Sequence, residues 1–146
     1  MRKKFVKYSL ELVREDSVEY DSKICTKEDA YQKLLEVFKL DKKSEEYFVM
    51  FALNCKNQIL GAFLVAKGTL DEITLSITDI IKRTLLCNAS RIIVAHNHPS
   101  GDVIPSKIDI NTTKRLKDCC SMFGISLLDH LIIGSDSYNS IIDRVN

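Results

Sequence analysis

Apolar and polar positions follow two rhythms along this chain. From Phe5 to Val13, FVKYSLELV alternates apolar with polar residues, the period-two pattern that predicts a strand, here at a sheet edge. Residues 14–23 lapse into a polar connection. Thr26 is then placed as an N-cap with acids in the first turn, and AYQKLLEVFKL runs at helical spacing until Lys42-Lys43-Ser44 closes it. EEYFVMFALN and QILGAFLVAKG, separated by Cys55-Lys56-Asn57, predict a β-hairpin. Thr78 is expected to cap a helix from about Asp79 to Cys87, with Asn88 ending it.

Ser90 to Ala95, SRIIVA, is short, β-branched and nearly all apolar, as a buried central strand would be. Helical spacing returns after Ser106, with Ile108, Thr112, Leu116, Cys119, Cys120 and Phe123 on one stripe and Gly124 as the stop. ISLLDHLIIG predicts a further strand and SYNSIID a last short one. Strands and helices mix without regular βαβ alternation, so the fold class expected is one α/β sandwich with a mixed sheet.

Composition bounds the function. A length of 146 residues suits one domain, and 45% hydrophobic with 28% charged residues suits a soluble globular one. No apolar run is long enough to cross a bilayer, and charges interrupt MRKKFVKYSLELVREDS before any signal-peptide core forms. A cytoplasmic location is the expectation. The 21 basic and 20 acidic residues give a formal net charge of +1. Short clusters such as Lys114-Arg115-Lys117 then read as solvated faces, which gives nucleic-acid binding little electrostatic support. The five cysteines (Cys25, Cys55, Cys87, Cys119, Cys120) form no CxxC pair. Their odd count and the adjacency of Cys119 and Cys120 predict free, buried thiols rather than disulfides or a thiolate zinc knuckle.

Chemistry gathers in residues 95–109, AHNHPSGDVIPSKID, which hold two of the three histidines and both prolines. If the preceding strand runs on in extended form, His96 and His98 point to the same face. Pro99 and Gly101 then turn the chain, a helix begins near Ser106, and Asp109 in its first turn can return a carboxylate. Two imidazoles and a carboxylate, with water in the fourth place, form the ligand set of an open, catalytic zinc centre. Each feature has a blander reading: a packed histidine, a plain Ser-x-x-Asp helix cap, and Asp102 as a turn residue or rival ligand. Strand, turn and helix start in this order favour the metal site. The Pro-Cys-x-x-Cys of zinc deaminases and the His-x-His-x-Asp-His of metallo-β-lactamases are both missing.

HNHPSGDVIPSKID resembles the JAMM motif of the JAB/MPN metalloproteins: His-x-His-Pro, six residues, then Ser-x-x-Asp. Through GISLLDHLIIG, the stretch from about Thr26 to Ile142 is similar to the bacterial RadC-like branch. The resemblance implies a JAB/MPN, cytidine-deaminase-like fold, with helices packed on a central mixed sheet. It implies a single domain over residues 1–146, with a strand and helix extension over 1–43 ahead of a catalytic core at 44–146. It implies Zn2+ bound by His96, His98 and Asp109, Ser106 as a hydrogen-bond donor to the oxyanion or bound water, and Glu46 as the catalytic acid/base. Glu45 would point the other way in a strand. The implied activity is a metallopeptidase-like or isopeptidase-like hydrolase with a peptide or protein substrate. The alternative is a DNA-repair-associated accessory or binding module on a JAB scaffold. Ser76-Ile77-Thr78-Asp79 stands where RadC-like chains carry His-Pro-Arg-Glu, and Ile108 where an acid is frequent. The helix-hairpin-helix segment of longer relatives is not expected within this length. Asp129-His130, inside an apolar strand, reads first as a satisfied core pair, with a group behind a metal ligand as the alternative.

Overall fold

The structure, a computed structural model, describes residues 4, 6–17, 23–68 and 75–145. Tyr47–Leu53 (β1) and Ile59–Lys67 (β2) form the expected antiparallel hairpin. Arg91–Asn97 (β3) pairs antiparallel with β1 and parallel with Ser126–Ile133 (β4), and Tyr138–Ser140 (β5) closes the sheet antiparallel to β4. The order β2-β1-β3-β4-β5 puts the apolar β3 at the centre, where both of its faces are buried. Parallel neighbours need a crossover, and it is a helix.

Three α-helices cover the sheet among the described residues: Lys27–Phe38 (α1), Ile77–Leu86 (α2) and the crossover Lys107–Met122 (α3). Odd-numbered Val49, Phe51, Ile93 and Ala95 meet Ala30, Tyr31 and Leu34 of α1 on one face. Even-numbered Phe48, Met50, Ile92 and Val94 meet Ile80, Leu116 and Cys120 of α2 and α3 on the other. His96 continues the even series, so it lies on the face that α3 covers.

Caps end the helices where local chemistry allows, with some displacement from expectation. Thr26 caps α1 through a capping box with Asp29, but the helix stops at Lys39, whose φ is 52°, and not at Lys42–Ser44. Ser76, not Thr78, caps α2, because its hydroxyl can accept from the amide of Asp79 three residues on. The buried line of α3 runs through Thr113, Leu116 and Cys120, leaving Ile108 and Phe123 exposed where the predicted stripe buries them. Of the five free cysteines only Cys120 is buried, and Cys25 and Cys55 are exposed.

Among the described residues the N-terminal strand is not present. Residues 6–17 have no regular structure, and Val6, Tyr8, Leu10, Leu12 and Val13 are exposed; Phe5 lies outside the described residues. Alternation makes a strand only where a neighbour takes up the backbone hydrogen bonds. No helix among the described residues is long and apolar enough to cross a membrane.

One irregularity sets the site. The β3–β4 register runs Ile92 to Leu127 and then Ile93 to Asp129, so Leu128 is an extra residue in β4. This bulge shifts the alternation of everything after it by one position. His130 consequently faces α3 and Asp129 faces α1. Leu34, fully buried between α1 and the sheet, tests the packing of that layer. Leu34→Ala is expected to lower the unfolding free energy by about 2–5 kcal/mol in urea denaturation. A loss well below that range would mean that α1 is not part of the cooperative core.

Candidate metal centre

The tip of β3 and the first turn of α3 bring the three predicted ligands together. His98 stays in register beyond β3 because its amide donates to the carbonyl of Ile133 at 2.9 Å. The chain then turns at Gly101, whose φ of 85° favours glycine. Gly134 lets this turn sit against the end of β4, since a Cβ there would lie 2.6 Å from the Gly101 carbonyl oxygen. At the start of α3, Ser106 and Asp109 form a capping box: the Asp109 amide donates to Ser106 Oγ at 3.0 Å, and the Ser106 amide donates to Asp109 Oδ2 at 2.8 Å.

That box aims the carboxylate. Asp109 Oδ1 lies 3.3 Å from His96 Nε2, and Oδ2 lies 3.4 Å from His98 Nε2. The two Nε2 atoms are 3.0 Å apart. His98 Nδ1 lies 2.7 Å from the carbonyl oxygen of Asp102, which can only accept, so Nδ1 carries the hydrogen and, in the neutral ring, Nε2 presents its lone pair inward. Two imidazole nitrogens and a carboxylate crowded this closely call for a positive charge among them. A proton or a metal ion can provide it. Among the described residues this is the only group of three or more His, Cys, Asp or Glu that could hold a metal ion.

The surroundings agree. Burial pushes the Asp109 carboxyl upward, but hydrogen bonds from His96 and His98 outweigh it and hold the group well below the ordinary carboxylate range. The hydrogen bond to Asp109 raises the His98 imidazole, against burial. Burial first, and then the charges of His96 and His98, push His130 well below the usual histidine value, against the pull of Asp109. Phe48 stacks on His96 at 6.1 Å between centroids and meets His130 edge-on at 5.4 Å. A cavity beside His96 and Asp109 is lined by Phe48, Leu75, Ile108 and Thr112, which places the atypical Ile108 at the site's edge.

The other predicted residues fall as follows. Glu46 is half-buried just before β1, and its charge is among those that raise His98, whereas Glu45 is exposed. Ser106 is exposed and acts as the α3 cap. Asp102 is a turn residue, its Oδ1 accepting from the Ile104 amide at 2.9 Å. Asp129 and His130 point to opposite faces and so divide the pair. Asp129 accepts from Ser140 Oγ at 2.7 Å, and His130 Nε2 lies 2.8 Å from His96 Nδ1.

Two residues that pattern reading overlooked also shape the site. Asn97, buried between the histidines, accepts from the Tyr47 amide at 2.7 Å and donates to the Glu45 carbonyl at 2.9 Å, which pins the backbone on both sides of Glu46. Thr113 contacts His130 from α3. For Asn97 the available signal was a polar residue continuing an apolar strand, whereas Thr113 gave none, because the predicted stripe ran through Thr112.

In protein free of metal, the His98 shift has a definite sign. A folded pKa above the unfolded value of 6.5 contributes stability below that pH, and the contribution is lost as pH rises through the folded pKa. Urea melts of chelator-treated protein at a series of pH values are expected to show stability falling above pH 6.5, and His98→Asn to flatten the fall. Equal slopes for the two proteins would contradict this account.

The RadC-like JAB domain profile matches residues 24–145. The chain is 42% identical over 106 residues to a UPF0758 protein of Staphylococcus haemolyticus, covering 73% of this chain and 46% of that protein. It is 44% identical over 99 residues to a UPF0758 protein of Staphylococcus epidermidis, covering 68% and 44%. For one from Staphylococcus aureus the figures are 45% over 100 residues, 68% and 46%. The chain thus spans less than half the length of these curated relatives. With the mixed sheet, the helices and the profile match in agreement, this chain belongs to the RadC-like JAB domain family.

Proposed function

We propose that this domain is a zinc-dependent hydrolase of the JAMM type, acting on a peptide or isopeptide bond. One observation carries the reading. The two Nε2 atoms are 3.0 Å apart, His96 Nε2 lies 3.3 Å from Asp109 Oδ1 and His98 Nε2 lies 3.4 Å from Asp109 Oδ2, so one donor atom from each residue falls within 4.8 Å of the others. A tetrahedron with metal–ligand bonds of roughly 2.0–2.1 Å has edges of about 3.3 Å. His96, His98 and Asp109 would hold the ion, and three protein ligands leave one position open to solvent, as catalytic centres do. When bound, zinc supplies Lewis acidity and lowers the pKa of water to roughly 7.

The chain's own groups supply the rest. Hydrolysis adds water across the amide: the acyl carbon gains the hydroxyl, the C–N bond breaks, and the amine nitrogen gains a proton. Glu46 would carry that proton, and its half-buried place beside His98, pinned by Asn97, supports the role. The Ser106 hydroxyl accepts from the Asp109 amide through a lone pair, so its own hydrogen is available to the carbonyl oxygen as negative charge develops there. The open edge of the site would take a peptide or protein. A net charge of +1 supplies no attraction specific to nucleic acid. A cytoplasmic setting fits five free cysteines.

Zinc-loaded protein incubated with a peptide library is expected to give discrete products. Glu46→Gln should keep one zinc per chain while the rate falls about 10²–10⁴-fold. Purified protein that takes up no stoichiometric zinc, or Glu46→Gln with undiminished turnover, would defeat the proposal.

A further inference from the structure

We propose that Thr113 and His130 are positioning residues that dictate which nitrogen of His96 carries its hydrogen, through a chain of hydrogen bonds that runs from the Asp109 main chain to the His96 imidazole and that a bound ion would close into a ring. The proposal rests on the metal-site reading above. The hydrogen bonds can be followed atom by atom. Thr113 Oγ1 lies 2.7 Å from the main-chain carbonyl oxygen of Asp109 and 2.6 Å from His130 Nδ1. A carbonyl only accepts, so the single hydroxyl hydrogen points at Asp109 and a hydroxyl lone pair faces His130. His130 Nδ1 therefore carries a hydrogen and donates it, which leaves Nε2 of the neutral ring as an acceptor. His130 Nε2 lies 2.8 Å from His96 Nδ1, so that nitrogen carries the next hydrogen. His96 Nε2 is left with a bare lone pair, and this is the atom 3.3 Å from Asp109 Oδ1.

The reverse direction fails at the threonine. A hydroxyl donating to His130 would leave two oxygens facing each other at 2.7 Å with no hydrogen between them. His130 Nε2–H would then donate to His96, and His96 Nε2 would hold a hydrogen where an ion needs electrons. One threonine–carbonyl bond thereby selects the tautomers of two histidines in succession. Geometry ties these hydrogen bonds to the ligands: Thr113 follows Asp109 by four residues on α3, so one helical turn presents both the carboxylate and the hydroxyl. The bulge at Leu128 brings His130 to the same face. Thr113 and His130 are buried, so solvent does not compete for these bonds.

The test compares wild type with Thr113→Val, which removes the hydroxyl at similar volume, and Thr113→Ser, which keeps it. Nitrogen–proton long-range NMR spectra of metal-free protein at mildly alkaline pH report the tautomers, and chelator competition reports zinc affinity. Wild type and Thr113→Ser are expected to show His96 and His130 in the Nδ1–H form. Thr113→Val should populate the Nε2–H forms and bind zinc about 10–100-fold more weakly, with Thr113→Ser close to wild type. An Nε2–H His96 in the wild type, or unchanged tautomers and affinity in Thr113→Val, would overturn the proposal. The wild-type spectra decide the direction of the hydrogen bonds even if Thr113→Val fails to fold. Wild type with the expected tautomers but no zinc binding would support the hydrogen-bond chain and overturn the metal-site reading instead.

Discussion

The Asp109 carboxylate answers two demands at once, and the geometry of the site depends on how it does so. Its Oδ2 accepts the Ser106 amide and so completes the α3 cap, while both oxygens face the imidazoles of His96 and His98. The positive end of the helix favours an anion there before any cation arrives. The capping box also restricts the side chain to one orientation, so little conformational entropy remains to be lost when a ligand is gathered. A surface aspartate would have to be immobilised at the moment of binding.

Buried polar groups are costly unless paired. Around this centre they are paired, and the pairing builds the site. Asn97 ties the tip of β3 to the backbone flanking Glu46. His130 and Thr113 link β4 and α3 behind His96. Phe48 walls off the imidazoles with an apolar ring. The sheet therefore has one face whose far end is chemical and another, under α1, that is conventional core with Asp129 and Ser140 at its margin.

Family membership and geometry speak to different scales. The RadC-like JAB match covers residues 24–145, and the domain described here accounts for less than half the length of its UPF0758 relatives. The three candidate ligands lie within that span, on the tip of β3 and the first turn of α3. Residues 6–17 lie ahead of the matched span, with their apolar side chains facing solvent.

Local spacing was enough to bring out the candidate ligands. Residues two apart at a strand end share a face, and an aspartate three residues after a serine closes a helix cap, so His96, His98, Ser106 and Asp109 could be identified from the chain alone. Glu46 needed the resemblance, because nothing in its own neighbourhood marks it. The hairpin and the central strand were likewise legible, since their periodicity is strong over several residues. Three features were not. The alternation of residues 5–13 predicted a strand that residues 6–13 do not form, and the place of His130 depended on a bulge that sequence periodicity does not register. Asn97 and Thr113 looked like ordinary polar interruptions until neighbouring strands and α3 gave them partners. Local stereochemistry is written into the order of side chains, whereas register and facing are settled only when separate elements meet and their backbone groups must pair.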